Sequence, residues 1–362
     1  MIFLIYFNLR SAFSAPLHRS PLDCVKNKIP RVFIMTEIKK MNLYGKEGIP
    51  FLFVVDFDVK NLHVMPLREA KKNDFIYDIQ GVTNYDYLKY EKINKNFIWK
   101  KKPISFEDYK KSLDIVQAGL HRGDSFLCNL TCSTPIETDL SLEQIFSASQ
   151  AKYKLLFRDK FVCFSPEIFV KINEKGVISS HPMKGTIDAD IPDAKQLILN
   201  DLKEKAEHNT IVDLIRNDLS KVAKNVRVTK FRYVDLLQTN EKNLYQVSSE
   251  IQGDLPSDWQ SKIGDILTQL LPAGSISGAP KNSTVELIKN AENFERNYYT
   301  GIFGIFDGHT LNSGVMIRFI EKNNEQLFFK SGGGITVFSD LNTEYQEFIN
   351  KIYVPIFRNN SF

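Results

Sequence analysis

Strand-like and helix-like segments follow one another along this chain without a regular repeat. Residues 51–57 form a short run of Phe, Leu and Val that is typical of a buried strand, and residues 126–131, 161–172 and 177–181 have similar character. Helical segments of unequal length lie between such runs. Parallel βαβ folds need a crossover helix between successive strands, so this irregular order favours antiparallel sheets. The sequence therefore predicts an α+β fold.

The clearest predicted helix is 105–121. Apolar residues recur there every three or four positions from Tyr109 to Leu120, and Ser105 is a candidate N-cap. The other predicted helices are 193–222, 259–271, 283–292 and 342–354. The remaining predicted strands are 226–231, 245–251, 301–307, 312–320 and 326–329.

Composition and charge narrow the class of protein. The chain has 362 residues, which is enough for one large domain or two smaller ones with a sizeable core. Lys and Arg total 47 against 43 Asp and Glu, and no basic stripe with interleaved aromatics is present, which argues against nucleic acid as a partner. No apolar run approaches the ~20 residues of a membrane-spanning helix, so no membrane partner is expected.

The cysteines indicate a reducing compartment. Cys24, Cys128, Cys132 and Cys163 form no Cys-x-x-Cys pair. Cys128 and Cys132 lie four residues apart, but no His or second pair completes a zinc pattern around them. We therefore expect free, buried thiols and a cytoplasmic protein.

The first residues are unlike the rest of the chain. An apolar run opens it and a small-residue segment follows at 11–15, but no positive charge precedes the run, which is short for a signal peptide. Met35 begins a more ordinary segment. We therefore expect residues 1–34 to be an extension or to precede the true start, and residues 35–362 to form a single catalytic domain.

Two carboxylates share one face of the predicted helix 193–222. At 100° per residue, Glu207, Ile211, Leu214 and Asp218 fall on one stripe. A carboxylate that is buried beside aliphatic side chains needs a cation or several hydrogen-bond donors. The alternative is an ordinary ion pair with Arg216 near the end of the helix.

A run of glycines precedes the last predicted helix. Gly332, Gly333 and Gly334 allow a ligand to approach the backbone closely and expose amides to an anion. In the helix that follows, residues 344, 347 and 351 are Glu, Glu and Lys on one stripe. This combination could hold a carboxylated substrate together with Mg²⁺, which prefers carboxylates and water. The alternative is a solvated, charged helix face.

Two further segments suggest anion binding, although each is weak by itself. Residues 272–281 form a Gly/Ser loop before a helix, without the spacing of a phosphate loop, so nucleotide binding is not expected. Arg318 follows a predicted strand, and Arg is the natural bidentate partner of a carboxylate.

Taken together, these segments resemble the chorismate-utilising enzymes. The resemblance covers about residues 123–356 and implies the fold of anthranilate synthase component I, with large antiparallel sheets in a sandwich and helices outside. Several motifs in one order make it specific. They are Phe164-Ser165-Pro166-Glu167, Pro182-Met183-Lys184-Gly185-Thr186, Glu207-His208 with the Asp213 to Asp218 segment, Pro272 to Lys281, Ile317-Arg318, Gly332 to Ile335, and Glu344-x-x-Glu347-x-x-x-Lys351.

The resemblance also implies a role for each matching residue. Glu207 and Glu347 are expected to bind Mg²⁺, with Glu344 near the metal, and the metal would hold the ring carboxylate of chorismate. Glu167 is expected to be the general acid and base. The remaining expected substrate-binding residues are Thr186, Ser277, Tyr299, Arg318, Lys351 and the amides of Gly332 and Gly334.

Lys184 distinguishes the reactions within the family. Members that make anthranilate, isochorismate or salicylate typically have Ala at this position, whereas aminodeoxychorismate synthase has a Lys that attacks chorismate at C2 before ammonia enters at C4. An amine attacks only when neutral, so we expect burial or nearby cations to lower the pKa of Lys184. The resemblance therefore favours amination of chorismate at C4. The alternative is that Lys184 is an ordinary surface lysine in a turn.

Partners follow from the same resemblance. We expect chorismate as substrate and ammonia from a separate glutamine amidotransferase subunit, because this chain has no Gly-x-Cys-x-Gly segment. Leu127 stands where isochorismate and salicylate synthases have a Lys base, which argues against water as nucleophile. Two alternatives remain, an anthranilate synthase component I and a non-catalytic, chorismate-binding regulatory subunit.

Overall fold

Two antiparallel sheets form the centre of the protein. The computed structural model describes residues 21–87, 97–238 and 243–355, with side chains from residue 33 onwards except those of Thr186 and Lys203. In these ranges each sheet has nine strands, and helices cover the outer faces. The predicted α+β class with large antiparallel sheets is therefore confirmed.

Nine α-helices and two 3₁₀ segments lie within the described ranges. The α-helices are α1 Pro21–Lys46, α2 Phe106–Arg122, α3 Leu142–Ala148, α4 Ala194–Asn200, α5 Leu202–Leu219, α6 Ile263–Leu270, α7 Gly274–Ser277, α8 Lys281–Ala291 and α9 Leu341–Asn350. The 3₁₀ segments are Leu67–Asn73 and Trp259–Lys262.

The strands in chain order are β1 Phe51–Val55, β2 Leu62–Pro66, β3 Phe75–Ile79, β4 Val82–Thr83, β5 Trp99–Lys101, β6 Leu127–Thr138, β7 Tyr153–Phe157, β8 Phe161–Ser165, β9 Ile168–Ile172, β10 Val177–Ser180, β11 Met183–Asp188, β12 Lys224–Gln238, β13 Asn243–Asp254, β14 Gly278–Ala279, β15 Ile302–Phe306, β16 Leu311–Val315, β17 Phe319–Asn323 and β18 Gln326–Ile335. Sheet A has the order β11-β13-β10-β9-β16-β15-β1-β2, with β12 beside β13. Sheet B has the order β14-β6-β18-β17-β8-β7-β3-β4, with β5 beside β6.

The two sheets pack face to face through aromatic side chains. Successive residues of a strand point to opposite faces, so Leu52 and Val54 of β1 meet sheet B while Phe51 and Phe53 face the helices on the other side. Because both faces are covered, all five residues of β1 are buried, which explains its continuous apolar sequence. This packing is a β-sandwich with an outer helical layer on each side.

Helices complete a separate core on each outer face. Apolar residues of α1, α5 and α6 pack on sheet A. Residues of α2, α3, α8 and α9 pack on sheet B. Within the described side chains Cys128, Cys132 and Cys163 are buried and unbridged, as predicted, whereas Cys24 lies outside them. No described helix is long and apolar enough to cross a membrane.

Most predicted elements are present, and the exceptions have local causes. Ser105 caps α2 by accepting from the N–H of Asp108 at 3.1 Å, as predicted. The single helix predicted at 193–222 is wrong, because Asp201 ends α4 and caps the separate helix α5. The strand predicted at 312–320 is also wrong, because Arg318 has a φ of 53° and separates β16 from β17.

Two further predictions concern the position of Lys184 and the start of the domain. Lys184 does not lie in a turn, since it is part of β11 and pairs with Val247 of β13. The domain boundary expected at residue 35 falls inside α1, which continues to Lys46, while residues 1–20 lie outside the described ranges.

Truncating an aromatic side chain between the sheets should destabilise the protein strongly. Phe303 is fully buried there, so Phe303→Ala removes a large apolar group and leaves a cavity that the paired strands cannot fill. We expect a loss of about 3–5 kcal/mol in the free energy of unfolding, measured by urea denaturation. Phe338→Ala is the control, because Phe338 is 80% exposed, and it should change stability by at most about 0.5 kcal/mol. Equal losses in the two variants would contradict the assignment of this core.

Candidate active site

A cavity of about 190 Å³ lies where β11 of sheet A approaches β6 and β18 of sheet B. Strands, loops and the helices α5 and α7 contribute to its wall, so residues that are distant in sequence meet there. Its lining residues are Leu127, Asn129, Glu167, Pro182, Met183, Lys184, Ile211, Ser275, Ile276, Gly278, Tyr299, Ile317, Arg318, Lys330, Ser331, Gly332, Gly333, Gly334 and Lys351.

Lys184 enters this cavity paired with a carboxylate of α5. Its Nζ lies 2.6 Å from Oε2 of Glu207, and a Cβ placed on Gly334 would lie 3.5 Å from the same Nζ. Burial disfavours the charged amine, but the carboxylates of Glu207, Glu204 and Glu347 outweigh it and raise the pKa of Lys184. The expectation that this pKa is lowered is therefore wrong for the ligand-free chain, because an ion pair compensates for burial.

The stripe that carries Glu207 is buried as its spacing predicts. Glu207, Ile211, Leu214 and Asp218 are each at most 9% exposed. Asp218 pairs with Nζ of Lys281 at 2.9 Å, which joins α5 to the segment that follows the Gly/Ser loop.

Arg216, the alternative partner, forms no ion pair with Glu207 or Asp218 in the described structure. Its guanidinium pairs with Asp213 on the exposed side of α5, at 3.2 Å. Glu207 pairs instead with Lys184 of β11, which is distant from α5 in sequence. Asp218 pairs with Lys281 of α8 and also with Lys221, which lies three residues after it.

The glycine run brings α9 next to the cavity. A Cβ placed on Gly333 would lie 3.5 Å from Oε1 of Glu347, 3.5 Å from Nζ of Lys351 and 3.6 Å from Oε2 of Glu344. Lys351 donates to the carbonyl oxygen of Gly332 at 2.9 Å and to Glu347 at 2.5 Å. The absence of side chains on the glycines therefore allows these three charged groups to approach β18 directly.

The charged stripe of α9 is not a uniformly solvated face. Glu344 is 6% exposed, whereas the side chain of Glu347 is 49% exposed. Burial lowers the pKa of Lys351. The charges of Arg318 and Lys184 lower it further, whereas Glu347 opposes this shift.

The expected magnesium ligands have suitable chemistry but do not form a closed metal centre. Glu207, Glu344 and Glu347 provide carboxylates, which Mg²⁺ prefers together with water and substrate oxygens. Lysine amines contact two of them, Lys184 at Glu207 and Lys351 at Glu347. Among the described residues, no three acidic, His or Cys side chains converge closely enough to hold a metal ion by themselves.

Glu167 is held against the Gly/Ser loop. Ser275 donates to Oε1 of Glu167 at 2.5 Å, and the backbone oxygen of Glu167 accepts from the N–H of Val315. Burial raises the pKa of Glu167, although the Ser275 hydrogen bond and the charge of Lys351 oppose this. Glu167 is thus a carboxyl group in the wall of the cavity whose pKa burial raises above that of an exposed Glu.

Arg318 and Tyr299 line the cavity near Glu167. Arg318 occupies the left-handed region between two strands, and its Nη1 donates to the carbonyl of Lys351 at 3.2 Å. Tyr299 is 3% exposed, and burial raises the pKa of its hydroxyl. An anion bound in this part of the cavity would therefore contact the guanidinium of Arg318 and the neutral hydroxyl of Tyr299.

Ser277 is placed differently from its expected role. Its Oγ is fully buried and donates to the carbonyl of Ala273 at 2.9 Å, so this serine closes the turn of α7 instead of lining the cavity. Ser275 lines the cavity in its place. For Thr186, whose side chain lies outside the described residues, the structure gives only a position on β11.

Sequence reasoning missed Lys330. This residue lines the cavity and is 2% exposed, and its Nζ pairs with Glu321 at 2.7 Å and donates to the carbonyls of Glu295 and Arg296. The available signal was its position two residues before Gly332 on the same strand, because alternate residues of a strand share a face.

Comparison with known proteins identifies the family. A family model for chorismate binding enzymes matches residues 53–356. This chain belongs to the chorismate binding enzymes. The match includes every element that contributes to the cavity.

Relatives of this chorismate binding protein differ in how much of their own length this chain covers. A PabA-like protein of Pasteurella multocida is 50% identical over 88% of this chain and 98% of its own length. Aminodeoxychorismate synthase component 1 of Escherichia coli is 32% identical over 68% of this chain, and the aligned region is 56% of that enzyme. The chain therefore spans little more than half of that synthase.

Solved structures support the same fold. Anthranilate synthase component I of Streptococcus pneumoniae matches 70% of this chain and 58% of that chain, with a TM-score of 0.61 and 27% identity. An isochorismate synthase of Bacillus anthracis matches 90% of this chain and 87% of that chain, with a TM-score of 0.62 and 17% identity. The fold implied by the sequence motifs is confirmed.

Replacing Glu167 by Gln should stabilise the protein at neutral pH. Because burial raises the pKa of Glu167, its stabilising contribution is complete below the unfolded pKa of about 4.3 and is lost as the pH rises through the folded value. Urea unfolding of Glu167→Gln should therefore show a gain over the parent chain at pH 8 that is smaller at pH 4. The control is Glu286→Gln on the exposed side of α8, which should change stability by at most about 0.5 kcal/mol. A pH-independent effect of Glu167→Gln would contradict the burial argument.

Proposed function

We propose that this chain is an aminodeoxychorismate synthase component I, which converts chorismate and ammonia to 4-amino-4-deoxychorismate. The observation that supports the proposal is the position of the Lys184 amine, inside the cavity and beside Gly334. A lysine there is a candidate nucleophile, and relatives named aminodeoxychorismate synthase are about 30% identical to this chain. The product would serve the synthesis of 4-aminobenzoate and folate.

The proposed reaction uses Lys184 twice. Its neutral Nζ forms a bond to C2 of chorismate, the ring double bonds shift, and the C4 hydroxyl leaves as water with a proton from an acid. Ammonia then forms a bond at C4, the double bonds shift back, and the C2–N bond breaks to regenerate the lysine. The net change is replacement of the hydroxyl by an amino group with release of water, and no oxidant or reductant is consumed.

Glu167 is the proposed proton donor for the leaving hydroxyl. Burial raises its pKa above that of an exposed Glu, which is the direction that a general acid needs. Ser275 fixes the orientation of the carboxyl group through a hydrogen bond to Oε1. After the C4 hydroxyl has left, the carboxylate can accept a proton from the incoming ammonia, so one residue serves as acid and then as base.

The charge of Lys184 must change before it can attack. Glu207 holds the amine in its charged form in the ligand-free chain. We propose that Glu207 and Glu347 would hold Mg²⁺, with Glu344 beside it. The bound ion would supply positive charge that balances these carboxylates and the ring carboxylate of chorismate. With Glu207 engaged elsewhere, burial would favour the neutral amine of Lys184.

Other residues of the cavity are proposed to bind the pyruvyl carboxylate. Arg318 and Lys351 supply cationic donors, Tyr299 supplies a hydroxyl, and the backbone at Gly332 and Gly334 allows close approach. Ammonia is proposed to come from a separate glutamine amidotransferase subunit, and the reaction is proposed to take place in the cytoplasm. A non-catalytic regulatory role is disfavoured, since Glu167 and Lys184, the two groups that would react, both line the cavity.

A product assay tests this function. Chorismate, MgCl₂ and an ammonium salt should give 4-amino-4-deoxychorismate, separated and identified by chromatography with mass spectrometry. Lys184→Ala should lower kcat by about 10³-fold or more, because it removes the nucleophile. Mass spectrometry of a quenched reaction should find a chorismate-derived adduct on Lys184.

The control for this assay is Lys205→Ala, an exposed lysine of α5, which should leave the rate unchanged. Formation of fluorescent anthranilate would instead identify an anthranilate synthase. Chorismate binding without any product would favour the regulatory subunit. Unchanged activity in Lys184→Ala would refute the covalent role.

Removal of divalent cations should abolish the proposed activity. We expect loss of product formation with EDTA and recovery with excess MgCl₂, because three carboxylates of the site are the proposed ligands. Glu207→Gln should weaken Mg²⁺ binding, measured by calorimetry, by at least about 10-fold, since it removes a charged ligand. Glu286→Gln on the exposed side of α8 should bind Mg²⁺ as the parent chain does. Full activity in EDTA would exclude the metal.

A further inference from the structure

The segment after α9, residues 351–355, lies against Arg318 at one side of the cavity. Nη1 of Arg318 donates to the carbonyl of Lys351 at 3.2 Å, and the guanidinium carbon lies 5.1 Å from the centre of the Tyr353 ring. The same carbonyl of Lys351 accepts from the N–H of Tyr353 at 3.1 Å. One short segment thus contacts the guanidinium in two ways, by a hydrogen bond and by an aromatic face.

This segment is held in place on both sides of Tyr353. Ile352 is 2% exposed and belongs to the core beneath sheet B. Val354 packs against the same core, and the carbonyl of Pro355 accepts from the N–H of Gln150 at 2.8 Å. The ring of Tyr353 is therefore presented to Arg318 by an ordered backbone.

The backbone fixes the other end of Arg318. Its φ of 53° places it between β16 and β17, and its carbonyl accepts from the N–H of Phe164 at 3.1 Å. Within the described part of the chain its guanidinium makes one hydrogen bond, of five that the group can donate. N–H donors thus remain for a ligand in the cavity, while one carbonyl and one ring restrict the orientation of the group.

We propose that Tyr353 is a positioning residue that orients Arg318 for the carboxylate of the substrate. An aromatic face attracts a guanidinium and leaves the edges of the planar group available for bidentate bonds to an anion. This inference rests on the proposed function, because it takes the ligand of Arg318 to be a carboxylate of chorismate. Tyr353 acts through Arg318 and does not itself contact the reacting atoms.

A purely structural role of Tyr353 is disfavoured by its exposure. Its surface is 47% exposed, and the neighbouring Ile352 fills the core instead. Removal of the ring should thus leave the fold intact. Without the ring, the guanidinium of Arg318 should adopt more orientations, and its affinity for a carboxylate should therefore fall.

The test measures chorismate binding by calorimetry in the presence of MgCl₂. Tyr353→Leu keeps an apolar cover but loses the aromatic face, so the Kd should rise about two- to fivefold. Tyr353→Phe keeps the ring and should bind as the parent chain does. In an Arg318→Ala background, Tyr353→Leu should have no further effect, since the residue through which it acts has been removed.

The matched control is Tyr87→Leu. Tyr87 also covers a cation, Lys154 at 4.7 Å, but it lies next to β4 at the far end of sheet B, so its loss should leave the Kd unchanged. An unchanged Kd in Tyr353→Leu, or an equal rise in Tyr353→Phe, would overturn the inference while the proposed reaction stands. A parent chain that binds chorismate and obeys the predicted order of affinities without forming aminodeoxychorismate would refute the reaction and support the positioning role.

Discussion

The buried ion pair between Arg296 and Glu292 is the interaction on which the shape of the cavity depends. Both side chains are 2% exposed, and their charged atoms lie 2.6 Å apart. Arg296 also donates to the carbonyls of Ile276 and Asn129, two residues that line the cavity, and Glu292 accepts from the N–H of Thr131. Burying two charges is costly unless such bonds satisfy them, and here those bonds join α7 to β6.

Inside this cavity, two lysines are paired with carboxylates of the protein. Lys184 is held by Glu207 and Lys351 by Glu347, and Gly333 is small enough for the second pair to reach β18. An anionic substrate must therefore compete with carboxylates that the protein already supplies. This arrangement keeps the amines in place when no ligand is present, and it raises the pKa of Lys184. A cation that binds those carboxylates would therefore change the charge state of the lysines, because it would remove their partners.

Much of the fold and of the site was predictable because the relevant signals are local or periodic. The N-cap at Ser105 follows from a residue type next to an apolar repeat. Burial of Glu207 and Asp218 on one stripe follows from helical geometry. Asp218 has one local partner, Lys221, at helical spacing. The partners Lys184 and Lys281 were not predictable from spacing, since they come from other elements and Arg216 was a nearer candidate in sequence.

By itself the sequence determined the alternation of strands and helices, the periodic burial of individual faces, and the motifs that place this chain among the chorismate binding enzymes. Folding decided which residues reach the cavity and in which charge state. Ser275 lines it and Ser277 does not, and the pKa of Lys184 is raised where burial alone would lower it. The reason is that burial and charge pairing depend on distances between atoms of different elements, and spacing along the chain does not specify those distances.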